Sequence, residues 1–434
     1  MKKTAVTSAA PGDLLIRNAR LLDPASGLDQ NGHVGIRDGL IAYIGPAVPA
    51  QPYRETFDAQ GHWLLPGLVD LCARFREPGH TGKASFRSET AAAFAAGVTR
   101  FALPPDTQPV LDTPAMVARV QRIADAAGSP RLHPLGALTQ QLGGEALAEF
   151  AALQAAGCTG LSNGLRPLGS RLIARRALEY ARGLGLTVHV FAQDEQLCPG
   201  GCAHEGPVGT RLGLAPIPAA AEVAAIRFWI SLVEDVGGRV HLGRLSTARG
   251  AELVETAQAR GLPVSADVAA HQLVLTEDAI DGFNSQAHVI PPLRTAQDRD
   301  ALRDALRKGV ISAVCSDHQP HEADAKINPF PLTEPGISGL ATLLPIVLQL
   351  VADGVLEPLQ AVARLTTGPA AVLGVQAALQ PGAEADLILL DPEARWTLTR
   401  EALISRGKNS PFIGQTLRGR VLRTLLHGRT VHAA

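Results

Sequence analysis

Residues 65–79 read LPGLVDLCARFREPG, and this stretch decides how the rest of the chain is interpreted. Its apolar first half predicts a short buried strand, and the segment TAAAFAAGV at residues 90–98 predicts a following helix. Cys72 and Arg74 stand at the carboxyl end of the predicted strand. Because they are two residues apart, their side chains are expected to point the same way. The stretch therefore predicts one strand–helix unit whose strand ends in a cysteine and an arginine.

The same pattern continues along most of the chain. Between residues 63 and 377, short apolar runs alternate with helical patterns rich in Ala and Leu, about eight times over. Such alternation predicts parallel strands that are joined by right-handed crossovers. We therefore expect residues 63–377 to form an α/β barrel of the (β/α)8 TIM type. Its functional site would lie at the carboxyl ends of the strands.

The two ends of the chain have a different pattern, in which apolar and polar residues alternate. Residues 12–62 predict strands with a turn at Asp38–Gly39. Near the other end, ADLILLD (385–391) predicts a strand, and GRVLRTLLHGRTVHA (419–433) predicts a hairpin that turns at His427–Gly428. Because the two ends resemble each other and flank the barrel, we expect residues 12–62 and 378–434 to form one small composite β-sandwich domain.

Composition and charge exclude several classes of protein. The chain has 434 residues, of which 46% are hydrophobic, so it can bury a large core without a metal or disulfides to hold it. A formal net charge of -1 provides no field that would attract nucleic acid or an anionic membrane. Residues 1–13 lack the apolar centre of a signal peptide, and no run of ~18 apolar residues predicts a membrane span. We expect a cytoplasmic protein.

The five cysteines are odd in number and irregular in spacing, so they predict no disulfide framework. Cys198 and Cys202, in the sequence CPGGC, are close enough for a clip or for half of a zinc site. No second pair of Cys or His follows at zinc-finger spacing. We therefore expect no structural metal at this position.

Ordered motifs along almost the whole chain resemble one enzyme family. The main matches are LPGLVDLCARFREPG (65–79), LPPDTQPV (103–110), LGLAPIPAAAE (212–222), HLGRLSTARGAELV (241–254), IPPLRTAQDRDAL (290–302), SDHQPH (316–321) and LTTGPAAVLGV (365–375). Together they resemble the dihydroorotase branch of the amidohydrolase superfamily. The resemblance implies a barrel with a composite β domain. It also implies an activity in which zinc activates a water and polarises a carbonyl to join or split a cyclic amide.

The resemblance implies where the zinc ligands should stand, and four of these positions are altered. The first strand of active members ends in a His-x-His pair, but here the two positions are Cys72 and Arg74. Phe191 and Arg244 stand at two further histidine positions. Arginine has no lone pair to offer a metal, and phenylalanine has no donor atom. The metal site implied by the resemblance is therefore degenerate in this chain.

Of two further ligand positions implied by the resemblance, one has lost its anionic residue and the other still holds an aspartate. The bridging carboxylate or modified lysine of the family corresponds here to Ser162 or Asn163, and neither residue is anionic. Asp317, in SDHQPH, stands where the family's aspartate binds metal and transfers a proton. Without a metal-activated water to deprotonate, Asp317 is expected to be vestigial, not catalytic.

Electrostatics argues against a rebuilt metal site. Two like unit charges ~4 Å apart repel each other by about 4 kcal/mol at an effective dielectric constant of about 20, so a dication facing Arg74 and Arg244 would be strongly repelled. We expect instead that Arg74 or Arg244 pairs with Asp317, and that Phe191 fills the space of a lost imidazole. Asp106 and Asp194 would increase the need for positive partners at the barrel mouth.

The residues at the implied substrate positions are mixed. Arg76 and His321 stand where the resemblance implies contacts with a substrate carboxylate, so a small anion could still bind there. Asp106 and Ile290 replace two asparagines of the family, and the charge of Asp106 would repel a carboxylate.

These residues leave two hypotheses for the function, a non-catalytic subunit and an active enzyme. For a member without its metal site, the resemblance implies a non-catalytic subunit of pyrimidine biosynthesis. Such a subunit assembles and stabilises the catalytic chains of aspartate carbamoyltransferase in a homo-oligomer or a mixed higher oligomer. The alternative is an active cyclic amidohydrolase, a dihydroorotase whose single-metal centre uses Cys72, His241, His318 and Asp317. We favour the first hypothesis and expect no cofactor, no metal and no nucleic-acid or membrane partner.

Overall fold

The computed structural model describes residues 13–434. The expected absence of a signal peptide rests on residues 1–13, of which 1–12 lie outside the described residues. Position 12, the first residue of the predicted terminal domain, also lies outside them.

Strands are numbered in chain order through the described residues. They are β1 (Leu14–Asp23), β2 (Leu28–Arg37), β3 (Leu40–Gly45), β4 (Glu55–Asp58), β5 (Trp63–Pro66), β6 (Leu68–Asp70), β7 (Val98–Leu103), β8 (Arg131–Ala137), β9 (Gly160–Ser162), β10 (Thr187–Phe191), β11 (Ala203–His204), β12 (Pro216–Ile217), β13 (Arg239–Gly243), β14 (Val264–Ala269), β15 (Ala313–Cys315), β16 (Leu387–Thr397), β17 (Thr416–Leu426) and β18 (Arg429–Ala433).

The α-helices of the same residues are numbered likewise. They are α1 (Phe86–Ala95), α2 (Pro114–Ala127), α3 (Phe150–Ala155), α4 (Arg171–Gly183), α5 (Pro207–Arg211), α6 (Ala219–Val236), α7 (Ala248–Ala259), α8 (Ala296–Lys308), α9 (Leu340–Ala352), α10 (Pro358–Leu365) and α11 (Thr367–Leu373). Short 3₁₀ helices lie at Gln140–Leu142, Glu195–Leu197, Ala270–Leu273, Glu277–Phe283, Ser285–Ala287, Ala323–Lys326 and Phe330–Leu332. Within residues 13–434, no helix combines the length and the apolar content that a membrane crossing requires.

Eight parallel strands form the barrel, in the order β6–β7–β8–β9–β10–β13–β14–β15. Helices separate successive strands, as the alternation in the sequence predicts. The last strand returns to the first through two backbone hydrogen bonds. The amide of His318 donates to the carbonyl of Cys72 (3.1 Å), and the amide of Arg74 donates to the carbonyl of His318 (2.9 Å). The predicted barrel is confirmed, and its closing seam lies at the carboxyl ends of β6 and β15.

Strand β10 shows how the sequence builds the barrel wall. Val188 and Val190 pack into the large apolar core that the strands share with the surrounding helices. His189 and Phe191 alternate with these valines and line a small cavity at the centre of the barrel. The strand therefore presents apolar side chains to the helices and polar or aromatic ones to the interior.

Helix α8 has sequence signals at both of its ends. Thr295 accepts a hydrogen bond from the amide of Asp298, and the Asp298 carboxylate accepts one from the amide of Thr295, which is a capping box. Gly309 follows the helix with φ of 88°, a conformation that glycine adopts at little cost. These local signals define the two ends of the helix, after which the chain continues into the next barrel strand, β15.

The terminal segments form one eight-stranded sheet, in the order β18–β17–β16–β5–β1–β2–β3, with β4 paired to β1. The hairpin of β17 and β18 turns at His427–Gly428, and that of β2 and β3 turns at Asp38–Gly39. All four turn residues have positive φ, as two-residue hairpin loops commonly require. The predicted domain built from both ends of the chain is confirmed as a sheet domain. It is a single sheet where a β-sandwich was predicted, and it includes β5, which the sequence assigned to the barrel.

The stretch at residues 65–79 connects the two parts of the molecule. Strand β5 pairs with β1 and β16 in the terminal sheet, and β6 begins two residues later in the barrel. Gly67 lies between them, and a Cβ at that position would clash with Thr99. The chain thus passes from the terminal sheet to the barrel within a few residues. The start of the first barrel strand, β6, is therefore fixed relative to the terminal sheet.

A buried carboxylate reinforces this junction from the other side. Asp386, which precedes β16, accepts hydrogen bonds from Arg131 Nε (2.7 Å) and Arg100 Nη2 (3.0 Å). Both arginines belong to barrel strands, so these ion pairs join the terminal sheet to the barrel.

Candidate functional site

The centre of the barrel mouth is organised around Asp317, which follows β15 and is fully buried. One carboxylate oxygen, Oδ1, accepts hydrogen bonds from Arg74 Nη1 and from Arg244 Nη1, each at 3.3 Å. The Cys72 thiol also donates to Oδ1 (3.4 Å), and Gln319 Nε2 donates to the other oxygen, Oδ2 (3.2 Å). The expected pairing of Asp317 with one arginine is present, and both arginines take part in it.

Arg74 also bonds to a second carboxylate. Its Nε donates to Asp106 Oδ2 at 2.8 Å, and its side chain is only 3% exposed. Burial raises the pKa of Asp106, but the charge and hydrogen bond of Arg74 and the charges of Arg76 and Arg244 together outweigh burial, and the net shift of that pKa is downward. Asp106 is therefore ionised and bound to Arg74, in the place where the resemblance implies an asparagine.

Arg244 lies against the aromatic ring that replaces a ligand histidine. The carbon at the centre of its guanidinium group is 4.7 Å from the centroid of the Phe191 ring. A buried arginine over an aromatic face is stabilised by about 1–2 kcal/mol. Phe191 occupies the expected position at the mouth, and it also supports the cation that pairs with Asp317.

Cys72 is a poor candidate for a metal ligand. Burial raises the pKa of its thiol to about 12, because a thiolate would be costly away from water. The protonated thiol donates to Asp317 and accepts a hydrogen bond from Arg74 Nη1 at 3.5 Å. Zinc binds the thiolate form of cysteine, so this residue lacks the state that a metal requires.

The structure separates the two residues that the sequence left as alternatives. Ser162 ends β9, lies in register with His189 of β10, and lines the central cavity. Asn163 points into the following loop, where it accepts from Thr139 Oγ1 (2.7 Å) and donates to the carbonyl of Arg166 (3.1 Å). Ser162 is thus the residue at the barrel centre.

Arg76 and His321 lie beside each other at the rim of the mouth. Arg76 Nη2 is 3.2 Å from His321 Nε2, and Lys83 Nζ is 3.1 Å from His321 Nδ1. Burial, together with the charges of Arg76, Lys83 and Lys326, lowers the pKa of His321 to about 2. His321 is therefore neutral, and a basic cluster surrounds it. Binding of an anion by this pair stays a prediction.

Asp194 does not join the central charges, contrary to the expectation from the sequence. Its carboxylate accepts a hydrogen bond from the amide of Gln196 (3.0 Å) and caps the short helix Glu195–Leu197. The residue lines a larger outer pocket next to the mouth. Its position after β10 suggested a role at the centre, but local capping directs the side chain outward.

Sequence reasoning missed several buried polar pairs. His241 Nε2 lies 2.8 Å from Asp267 Oδ2, and His318 Nε2 lies 2.8 Å from Glu89 Oε2. His318 Nδ1 accepts from the amide of Gly339 (3.1 Å), so both ring nitrogens of this histidine are engaged. A polar residue alternating with apolar ones in a buried strand, as Asp267 does in SADVA, was the available signal.

Three residues of the mouth have backbone conformations in the left-handed region. The values of φ are 63° for Arg76, 60° for Arg244 and 41° for Asp317. Non-glycine residues in this region commonly cost about 1–3 kcal/mol each, and they persist where the surroundings hold them. The ion pairs and hydrogen bonds of these side chains supply that support.

Comparisons with known proteins identify the family. A family model described as "Dihydro-orotase-like" matches residues 61–250, and one described as "Amidohydrolase family" matches residues 232–431. A dihydroorotase-like protein from Pseudomonas aeruginosa is 50% identical over 418 residues, which are 96% of this chain and 99% of that protein. A dihydroorotase from Anaeromyxobacter dehalogenans is 42% identical over 422 residues, which are 96% of this chain and 98% of that protein.

The solved structure of an L-hydantoinase (dihydropyrimidinase) from Arthrobacter aurescens shares the fold. Its TM-score is 0.87 at 23% sequence identity, and the match covers 97% of this chain and 96% of that one. A parallel barrel with this accessory sheet is therefore the amidohydrolase architecture. The chain belongs to the dihydroorotase-like amidohydrolase family.

The resemblance implies zinc, but the side chains of this chain do not fit it. Zinc is normally held by neutral imidazoles, thiolates and carboxylates. The positions in question hold a protonated thiol, two guanidinium groups and a phenyl ring, and the remaining carboxylate is already bound to both arginines. Among residues 13–434, no three His, Cys, Asp or Glu side chains cluster as a metal would require. The side chains at this centre are therefore not a set that binds a dication.

Removal of the Asp317 charge should destabilise the fold. In Asp317→Asn, Arg74 and Arg244 lose their shared carboxylate, and breaking a buried ion pair commonly costs about 3–5 kcal/mol. We expect the free energy of unfolding in urea to fall by that amount. Asp324→Asn, at an exposed position, is the matched control and should stay within about 0.5 kcal/mol of wild type. A loss below about 1 kcal/mol in Asp317→Asn would contradict the importance of the shared carboxylate.

The stability should also fall on mild acidification. Burial lowers the pKa of His189 to about 3 and that of His271 to about 4, so the folded state binds fewer protons than the unfolded chain below pH ~6.5. Each group then costs about 1.4 kcal/mol per pH unit as the pH falls from ~6.5 toward its folded pKa. Burial raises the pKa of Asp70 to about 6, which offsets one such group below that pH.

Thermal unfolding at pH 7, 6 and 5 and constant ionic strength measures this effect. We expect Tm to fall steadily over the series, and His189→Gln to reduce the slope. The same substitution at the half-buried His80 is the control and should leave the slope unchanged. An equal Tm at pH 7 and pH 5 would show that the histidines do not limit stability.

Proposed function

We propose that this chain is a catalytically inactive member of its family, a pseudoenzyme that acts as an assembly subunit. The observation that supports catalytic inactivity is the shared carboxylate. Arg74 and Arg244 both donate to Asp317 Oδ1. In the family, the equivalent aspartate transfers a proton between a metal-activated water and the leaving nitrogen. Here the same carboxylate neutralises two permanent cations, so it has no activated water to deprotonate.

The acid–base requirement of the reaction supports this proposal. A general base must accept a proton at the working pH and reach the nucleophile directly or through one water. Asp317 is fully buried, and its two oxygens accept hydrogen bonds from four side-chain donors. Protonation of this carboxylate would leave two buried guanidinium groups without their common partner, which is strongly unfavourable. The residue is thus suited to a structural role.

The partner we propose is the catalytic chain of aspartate carbamoyltransferase, in a mixed higher oligomer of de novo pyrimidine biosynthesis in the cytoplasm. The support is the family resemblance, because members that lack the metal site have this role. Two relatives, from Pseudomonas aeruginosa and Pseudomonas putida, are called dihydroorotase-like protein, and they are 50% and 48% identical to this chain. Retention of the whole fold, with the mouth rebuilt by ion pairs, suits a subunit whose shape matters more than its chemistry.

A second candidate is a working dihydroorotase that converts N-carbamoyl-L-aspartate to dihydroorotate with an aberrant site. It is favoured by relatives such as the dihydroorotase of Anaeromyxobacter dehalogenans, which is 42% identical over nearly the whole chain. For this chain, the centre would have to expel Arg74 and Arg244 and ionise Cys72 before a metal could bind. These steps oppose the contacts described above, so we place this candidate second.

Metal content and turnover separate the two candidates. If the chain is inactive, elemental analysis of protein purified with zinc present should find less than about one tenth of a zinc per chain. Dihydroorotase activity should equal that of a blank and should be the same in wild type and Asp317→Asn. An active dihydroorotase, purified in parallel, controls for loss of metal. One zinc per chain, with turnover that a chelator abolishes, would establish the second candidate.

Co-expression tests the partner. Tagged chain, produced together with the aspartate carbamoyltransferase of the same organism, should retain the transferase through purification and give one large species in size-exclusion chromatography. Transferase produced alone should be less active or fail to assemble. An active dihydroorotase of another organism, carrying the same tag, is the control for nonspecific capture. Separate elution of the two chains, with full transferase activity in the absence of this one, would refute the proposed subunit role.

A further inference from the structure

Two loops on the mouth side of the barrel expose large apolar side chains. Residues 277–289 lie between β14 and α8, and residues 322–335 lie between β15 and α9. On the second loop, Ile327 and Leu332 are 76% and 71% exposed, the highest values for large apolar side chains within residues 13–434. Phe283, on the first loop, is 50% exposed. We call these three side chains the apolar patch.

Hydrogen bonds join the two loops at the apolar patch. Ser285 Oγ donates to the carbonyl of Lys326 (2.6 Å), and Lys326 Nζ donates to the carbonyl of His288 (3.4 Å). Ser285 is two residues after Phe283, and Lys326 directly precedes Ile327. The exposed side chains of the two loops therefore belong to one region of the surface. Grouped apolar side chains of this size commonly mark a binding surface, whereas single ones do not.

The second loop is closed upon itself and anchored from below. The amide of Glu334 donates to the carbonyl of Ala325 (2.9 Å), so the chain between them forms a compact loop. Phe330, within this loop, is buried, and its ring centroid lies 4.5 Å from that of His288. The loop therefore has a fixed shape before any partner binds, which lowers the entropic cost of docking.

Phe283 has a backbone conformation that a bulky residue rarely adopts. Its φ is 60°, in the left-handed region, and it follows Gly282 with φ of 67°. The amide and the side chain of Asn284 hold this turn by donating to the carbonyls of Ile280 (3.2 Å) and Ala279 (3.0 Å). A strained backbone that keeps an aromatic ring in water is unfavourable on both counts, and such strain concentrates at functional sites. This observation is independent of the exposure of the second loop, and it also indicates a binding surface.

The exposed charges beside the apolar patch are mostly negative. The two loops expose no lysine or arginine, and they expose five carboxylates, those of Asp278, Asp281, Glu322, Asp324 and Glu334. Their one basic residue, Lys326, is buried, and burial lowers its pKa to about 7. Arg211 pairs with Asp281 (2.9 Å), and Lys83 lies within 4 Å of the two glutamates. Asp278 and Asp324 have no such cation among the residues that the structure describes.

This charge decides between the possible occupants of the apolar patch. A second copy of this chain would bring carboxylates against carboxylates, and nucleic acid or an anionic membrane would be repelled in the same way. A protein surface with exposed lysines or arginines would be attracted. Because a chain that turns over no substrate does not need an open mouth, such a partner could cover this side of the barrel permanently.

We infer that the apolar patch is where this chain docks the catalytic chain of aspartate carbamoyltransferase, an inference that rests on the proposed function. The partner's surface should have an apolar recess for Phe283, Ile327 and Leu332. Lysines or arginines at the border of this recess should face Asp278 and Asp324. Burial of the apolar side chains would supply the affinity, and the charged border would orient the two chains and speed their encounter.

Binding of the purified chains tests the apolar patch. In the variant Phe283→Asn, Ile327→Ser, Leu332→Ser, the Kd for the transferase of the same organism should rise by about 100-fold, since three central apolar contacts are lost. Asparagine tolerates the left-handed backbone at the first position. The matched control replaces three exposed apolar residues elsewhere on the chain by serine and should bind as wild type does; these residues are Val48, Ile404 and Val431. An unchanged Tm shows that each variant is folded.

The outcomes separate this inference from the proposed function. Equal Kd values for wild type and the patch variant would overturn the docking site and leave the subunit role intact. Failure of wild type to bind the transferase would remove the proposed partner and the docking site together. Sedimentation of the chain alone tests the remaining occupant. A dimer that the patch variant does not form would assign the apolar patch to a second copy and overturn the inference.

Reversal of the border charge tests the chemistry of the partner. Asp278→Lys combined with Asp324→Lys should lower the association rate constant by about 10-fold at low salt and leave the dissociation rate constant close to that of wild type. The difference should disappear at about 0.5 M salt, because exposed charges are then screened. An association rate constant that the reversal does not lower at low salt would overturn the basic border of the recess.

Discussion

The carboxylate of Asp317, shared between two buried guanidinium groups, is the interaction on which the barrel mouth depends. Two cations about 4 Å apart repel each other by about 4 kcal/mol at an effective dielectric constant of about 20, and only an anion between them makes their burial tolerable. Asp317 supplies this anion, Asp106 takes the second charge of Arg74, and the ring of Phe191 supports Arg244. These contacts also hold strained backbone at Arg244 and Asp317. Local geometry at the mouth therefore follows from electrostatics.

The altered positions make physical sense only as a set. A single arginine placed in a metal centre would repel the dication and leave its remaining ligands unbalanced. In this chain, two arginines, a phenylalanine and a protonated cysteine stand together, and each contacts Asp317 or a group that does. Two further buried contacts lie outside this set, between His318 and Glu89 and between His241 and Asp267. Both rest on a carboxylate other than Asp317.

The sequence predicted the architecture well, because the barrel and the terminal sheet arise from periodic patterns and turns. The alternation around Val188 and Val190, the cap at Thr295 and the hairpin at His427–Gly428 are local signals that the structure reproduces. Prediction was less complete at the site. The pairing of Asp317 with an arginine followed from charge together with the ligand positions that the resemblance implies, but its sharing by two arginines required the three-dimensional positions of separate strand ends. The outward turn of Asp194 depends on loop geometry, and the inward position of Ser162 depends on where β9 ends; a pattern of residues encodes neither.

The seam that closes the barrel gives Arg74 two tasks. Its amide donates to the carbonyl of His318, which joins the first strand to the last, and its side chain neutralises Asp317 beside that joint. The backbone hydrogen bond that closes the barrel and the ion pair that neutralises Asp317 therefore both involve Arg74. Because side chains alone balance its charges, a centre of this kind forms together with the backbone itself.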